Sequence, residues 1–196
     1  MTRKNFFIAG FCLILLCLLA MPVAAMADEF DQATKVTFSE PVEVPGHVLA
    51  AGTYWFTLLD SSSNRNIVQI YDKDEKKLLG TILAIPDYRL QPSDKPVITF
   101  EERPSGTPEA IKAWFYPGDN YGQQFVYPHK RAAELAKRTN QNVLSMRDDM
   151  AKNVSTSATS AGNSDIKAMQ NTEVTGVSPS GEPVDLVIIV ATKPQQ

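Results

Sequence analysis

The chain has two cysteines, Cys12 and Cys17, and both lie in an uncharged apolar run near its start. Past that run there is no thiol, which excludes a disulfide, a thiolate metal site and a cysteine nucleophile there. Histidine is as scarce, with only His47 and His129 present. A zinc site takes three or four protein ligands, so two histidines fall short unless carboxylates join them. No G-x-S-x-G turn marks a serine hydrolase, and Ser61-Ser62-Ser63 reads as a loop tip. No glycine-rich run could cradle a phosphate. Basic clusters are missing too, which argues against nucleic acid. Beyond the first twenty residues no apolar run approaches the roughly twenty residues of a spanning helix.

Carboxylates are plentiful but badly placed for chemistry. Glu101 and Glu102 are adjacent, so on a strand they point to opposite faces and cannot act as a glycosidase pair. Asp72-Lys73-Asp74-Glu75 opens like a calcium loop. The later ligand places, however, hold Lys76, Lys77 and Leu83 rather than an oxygen donor, Gly and Glu. A charged hairpin turn is the expectation there. No catalytic residue, metal or cofactor is assigned.

The N-terminus reads as an export signal. Arg3 and Lys4 precede the uncharged run Phe6 to Ala20, Pro22 breaks it, and Ala25-Met26-Ala27 places small residues before a cleavage point. Cleavage after Ala27 would leave 169 residues with 17 basic against 22 acidic side chains, a net charge of −5. The expected address is periplasmic or extracellular, with no membrane span in the mature chain.

From Ala33 to Tyr127 short apolar alternations are cut by turn residues. Strands are expected at 35–39, 53–58, 66–71, 78–85, 96–101, 111–116 and 123–127. Turns are expected at Pro45-Gly46 and at 60–64, 72–76, 86–94, 104–108 and 117–120. About seven strands at this spacing predict an antiparallel sandwich or barrel-like domain over 28–139. After Pro128 the run HKRAAELAKR predicts one short helix docked through Ala132, Leu135 and Ala136, with Glu134 and Arg138 spaced to pair. From 140 to 182 apolar content falls away, most of all in NVSTSATSAGNS, and a flexible tail is expected, with a helical turn near Val143 to Met150. The tail of 140–196 ends in a short strand, 184–190, that pairs either with its own sheet or with a partner's.

Aromatic residues concentrate in WFYPGDNYGQQFVYP, 114–128. Strict alternation puts Ile111, Ala113 and Phe115 on one face and Lys112, Trp114 and Tyr116 on the other. It likewise turns Tyr54, Phe56 and Leu58 inward and Thr53, Trp55 and Thr57 outward. Phe38, Val68, Ile70, Ile98 and Phe100 complete the expected core. Trp55, Trp114, Tyr116 and Lys112 then form the candidate ligand-binding strip, since exposed rings stack on sugars or anchor a protein partner.

Five stretches carry a resemblance. VTFSEPVEVPG followed by LAAGTY, then AIPDYR, TFEERP and WFYPG, resemble an uncharacterised group of small exported bacterial β-proteins over about 33–145. Ala50 stands where the group has proline, and the terminal LVIIV is shorter than the group's anchoring segments. The resemblance implies export and a β-fold, and no activity. The expected function is a non-catalytic binding or structural module of the cell envelope, with polysaccharide or envelope protein as partner. The competing expectation is a small hydrolase or metal-dependent enzyme using His47 or His129. An enzyme should set a histidine beside a carboxylate in a concave pocket. A binding module should show a flat aromatic strip or an open sheet edge.

Overall fold

The computed structural model describes residues 33–59, 66–101, 107–150 and 163–186. The expected export signal, its Ala27 cleavage point and most of the terminal apolar strand lie outside the described residues.

The first half folds as expected, as strands. They are β1 (Ala33–Phe38), β2 (Val42–Val44), β3 (His47–Leu49), β4 (Gly52–Leu59), β5 (Asn66–Asp72), β6 (Leu78–Tyr88), β7 (Val97–Glu101), β8 (Glu109–Phe115) and β9 (Tyr121–Phe125). They join in one nine-stranded sheet of order β1-β4-β5-β6-β9-β8-β2-β3, with β7 added beside β8. All pairs are antiparallel except β2 with β8. The sheet curls, so that Phe38 of β1, Phe56 of β4, Trp114 of β8, Val44 of β2 and Leu49 of β3 share one core. The result is a mainly β, sandwich-like fold.

Two short strands escaped the sequence pattern. β2 and β3 flank the Pro45-Gly46 turn as a hairpin of three-residue arms, below the length at which alternation can be read. Gly46 takes a φ of 94°, where a side chain would be strained. The expected turn at 86–94 also starts late. β6 runs on through Pro86 to Tyr88 because β9 pairs with it there, after β5 has left at Ala84.

The tail expectation is corrected in part. β11 (Val143–Met146) is buried throughout, α2 (Asn163–Gln170) follows, and β12 (Val174–Val177) pairs with β11. With β10 (Tyr127–Pro128) and β13 (Pro183–Val184) they form a second, four-stranded sheet. Among the described residues of the expected strand 184–190 only Val184 pairs, with Gly176 of β12, and Leu186 is already helical, so the expectation of a strand through 185 and 186 is corrected. The physical reason lies in the main sheet. Its central strands carry apolar residues on both faces, Val68 and Ile82 inward but Ile67 and Leu83 outward. Strands buried on both sides need a second layer. Leu144, Met146, Met169 and Val174 supply it.

The expected helix forms as α1 (His129–Thr139) and docks through Ala132, Leu135 and Ala136. Its ion pairing differs from expectation, because Glu134 is held by Arg131 rather than Arg138. The same guanidinium grips Glu43 of β2 with two charge-assisted hydrogen bonds, Nε to Oε1 at 2.5 Å and Nη2 to Oε2 at 2.7 Å. Asp148, just past β11, accepts the Lys130 N–H at 3.0 Å and caps the helix that Pro128 leaves without a side-chain cap.

Candidate binding face

Of the four expected site residues, the structure withdraws two from the surface. Trp114 is 0% exposed and Tyr116 is 3% exposed. Trp114 meets Phe56 edge-on at 5.7 Å and Tyr116 at 4.7 Å. An exposed strip of Trp55, Trp114 and Tyr116 is therefore overturned. The cause is a β-bulge. β7 pairs Phe100 with Ile111 but Thr99 with Ala113, so Lys112 is the extra residue on β8. One inserted residue reverses the alternation beyond it. Ile111 and Trp114 thus share the inner core, which strict alternation would place on opposite faces. Phe115 turns to the other side, where its ring lies against Gly122 and beneath the Arg89 guanidinium at 5.4 Å.

Lys112 is aimed away from the rings by the same bulge. Its ammonium lies 3.2 Å from Gln141 Oε1 and 3.8 Å from the carboxylate of Glu101, whose side chain is almost wholly buried. It ties the bulge to the end of α1 and is no part of an aromatic platform.

Trp55 keeps its outward place. On the outer face of the sheet β1, β4 and β5 align their side chains in rows. Lys35, Trp55 and Tyr71 form one row, Thr37 and Thr53 a second, Thr57 and Gln69 a third. The row beyond these, Leu59 with Ile67, lies under the second sheet and α2. The covering layer stops there, and Trp55, Tyr71, Thr53, Thr57 and Gln69 are half-buried while Lys35 and Thr37 are exposed. The open face is consequently a shelf, walled at Leu59 and Ile67 and closed toward β6, where Thr81 opposite Gln69 is buried.

The shelf is held by its own polar contacts. The Trp55 indole N–H donates to the Lys73 carbonyl at 3.3 Å, and the Lys35 ammonium sits 4.8 Å from the centre of the Trp55 ring. Tyr71 donates its hydroxyl to Gln69 Oε1 at 2.9 Å, and the Thr37 and Thr53 hydroxyls meet at 2.9 Å. Two rings of fixed orientation thus lie among hydroxyl and amide groups. Tyr71 was missed in sequence. Its signal was present in the register, since β5 pairs Tyr71 directly opposite Trp55.

A second aromatic group reaches the surface elsewhere. Tyr116 stacks on Tyr121 at 5.7 Å, and Tyr121 meets Tyr88 edge-on at 5.4 Å. Tyr88 and Leu90 are 63% and 60% exposed. The buried Gln123 amide donates to the hydroxyls of Tyr116 and Tyr121 at 3.0 and 3.1 Å. Burial pushes the Tyr116 hydroxyl well above its usual titration range, against that donated hydrogen bond.

The features read as possible chemistry resolve differently. The Asp72 carboxylate accepts the backbone N–H of Lys76 at 2.8 Å and of Lys77 at 3.2 Å, and these bonds draw its titration down. The loop therefore closes on its own carboxylate, as a hairpin turn. His47 packs on the bare backbone of Gly80, where an added Cβ would lie 2.9 Å from the imidazole. His129 lines a small cavity of about 100 Å³ with Ser145, Met146, Arg147, Glu173 and Thr175. A histidine and a carboxylate do share this cavity. It is well below the roughly 300–1,000 Å³ of small-molecule sites. The Ser145 hydroxyl is engaged with that of Thr175 at 3.2 Å. Among the described residues no group of three or more His, Cys, Asp or Glu could hold a metal ion. No helix among them is long and apolar enough to cross a membrane. In comparisons with known proteins, no family model, no curated protein and no solved structure matches this chain.

Proposed function

We propose that the chain is an exported, non-catalytic binding module of the cell envelope, and that the open face around Trp55 is where it binds. One observation carries the reading: Lys35, Trp55 and Tyr71 stand in register across three strands, on a part of the sheet that the second layer leaves uncovered. A flat platform on paired strands is rigid, so its rings are already oriented before a ligand arrives and little ordering entropy is lost on binding. Export enters from the leader pattern of Arg3, Lys4 and Ala25-Met26-Ala27 and from the resemblance to exported β-proteins. The test is co-sedimentation of the purified full chain with the insoluble envelope fraction of its native host. Trp55→Ala and Tyr71→Ala should each release the protein to the supernatant, whereas Tyr88→Ala, on the other aromatic group, should not. Retention of both shelf variants would overturn the reading.

A further inference from the structure

We infer that the ligand of this face is a neutral, hydroxyl-rich polysaccharide; the inference rests on the binding reading above and narrows it. Three observations point to that chemistry. The open rows offer hydroxyls from Thr37, Thr53, Thr57 and Tyr71 and the amide of Gln69, groups that both donate and accept. Among the described residues, no carboxylate stands at the outward positions of these rows, and Lys35 is the one charge on them. The two rings supply stacking surfaces, and every pyranose ring has an apolar face to lay on them.

Area decides against a protein partner. Strands lie about 4.8 Å apart and rise about 3.3 Å per residue, so three strands and some four residues of open length span roughly 10 by 15 Å. That is far below the roughly 800 Å² per partner of a stable protein interface. A narrow polymer can use such a patch, and it can continue beyond it over β1, where Lys35 and Thr37 are exposed. A small molecule would instead need an enclosed pocket.

Lys35 makes the inference sharp. Its ammonium lies over the Trp55 ring and occupies the surface a sugar would take. Lys35 itself is exposed, so the contact is weak and a neutral sugar displaces it at small cost. Lys35→Ala should therefore bind a neutral glycan about two- to fivefold more tightly, since the competing cation is gone. An anionic polymer would respond in the opposite sense.

The experiment titrates the full chain with hexasaccharides of β-1,4-linked glucose and of β-1,4-linked N-acetylglucosamine. Binding is read as protection of tryptophan fluorescence from acrylamide. Trp114 is buried, so the quenchable emission reports Trp55. At least one hexasaccharide should protect it. Trp55→Ala, followed by isothermal titration, should weaken binding at least about tenfold, with Trp55→Phe recovering most of it. Unchanged far-ultraviolet dichroism shows that each variant is folded. If neither sugar protects Trp55 while envelope sedimentation still depends on Trp55, the glycan inference fails and the binding module stands. If Lys35→Ala weakens binding, the ligand is anionic and the inference again fails. If sedimentation ignores Trp55, both readings fall together.

Discussion

The two tryptophans lie on strands of similar composition, and their fates are opposite. β4 reads GTYWFTLL and β8 reads EAIKAWF, each a β-branched and aromatic run. On β4 the alternation is unbroken from Gly52 to Leu59, so Phe56 goes in and Trp55 stays out. On β8 a single extra residue at Lys112 exchanges the faces, and Trp114 becomes the largest fully buried side chain among the described residues. Periodicity is thus a statement about pairing partners as much as about the strand itself. A strand that is paired evenly along its length keeps the period of two. β8 changes neighbour halfway, from β2 at Glu109 and Ala110 to β9 at Ala113 to Phe115, and the bulge sits at the change.

Removing the bulge should have the largest effect. Deletion of Lys112 would turn the indole of Trp114 onto the Gly122 side, where a Cβ on Gly122 would already lie 2.5 Å from the Trp114 carbonyl. A register slip of one residue moves a whole hydrophobic set, so the deletion should abolish cooperative thermal unfolding and near-ultraviolet dichroism. A native-like spectrum would show that pairing, not the extra residue, directs Trp114.

Next, Trp114→Ala should cost about 3–5 kcal/mol in chemical denaturation, as large buried deletions do. Phe115→Ala should cost a similar amount, because both faces of β8 are covered here. Trp55→Ala should cost less, about 1 kcal/mol, since the half-buried ring gives up Tyr71 across the strand, one exposed cation and one exposed hydrogen bond to the Lys73 carbonyl. Equal losses for Trp55 and Trp114 would erase the contrast between the strands.

Arg131→Ala should fall between these, at about 1.5–3 kcal/mol, the range for hydrogen bonds to charged groups. Glu43 is mostly buried and would lose this ion pair, while Arg131 is itself 30% exposed, which limits the loss. A change below about 0.5 kcal/mol would mean that α1 is held by its apolar stripe alone.

The smallest effect concerns pH. Burial holds the His47 imidazole below its usual value of 6.5, so the folded protein binds less proton there than the unfolded chain. Stability is then whole above pH 6.5 and declines as pH falls below it. His47→Gln should flatten that part of the melting-temperature profile, and a wild-type profile already flat between pH 5 and 7 would contradict the assignment.

These comparisons also mark how far the sequence could be read. Alternation was enough for β1, β4 and β5, and it placed Phe38, Tyr54, Phe56, Leu58, Val68 and Ile70 in the core. The docked stripe of α1 was legible for the same reason, since a helix imposes its own period. The bulge was not, because Lys112 is an ordinary residue at a strand position and only the pairing of β7 reveals it. β11 and β12 were missed because four-residue strands, VLSM and VTGV, lie among polar residues and acquire their apolar setting from Ile67 and Leu83 in the distant main sheet. Of the four candidate site residues only Trp55 survived on this account. Trp55 sits on a strand with steady partners, and Trp114 does not.

The parallel seam between β2 and β8 has a kinetic consequence. It joins Val42 and Glu43 to Glu109 and Ala110, and the Tyr127 hydroxyl lies 2.7 Å from the Ile111 carbonyl and 3.3 Å from that of Glu43. β2 and β8 are far apart in sequence, whereas β4 and β5 each pair with their immediate successor. Loop closure favours the near pairs first, so the meander nucleates and the seam closes late. Contacts made after the transition state govern how fast the native state is lost. Arg131→Ala and Tyr127→Phe should therefore accelerate unfolding while leaving the refolding rate almost unchanged, which makes this seam the latch on the protein's lifetime rather than a determinant of how quickly it is built.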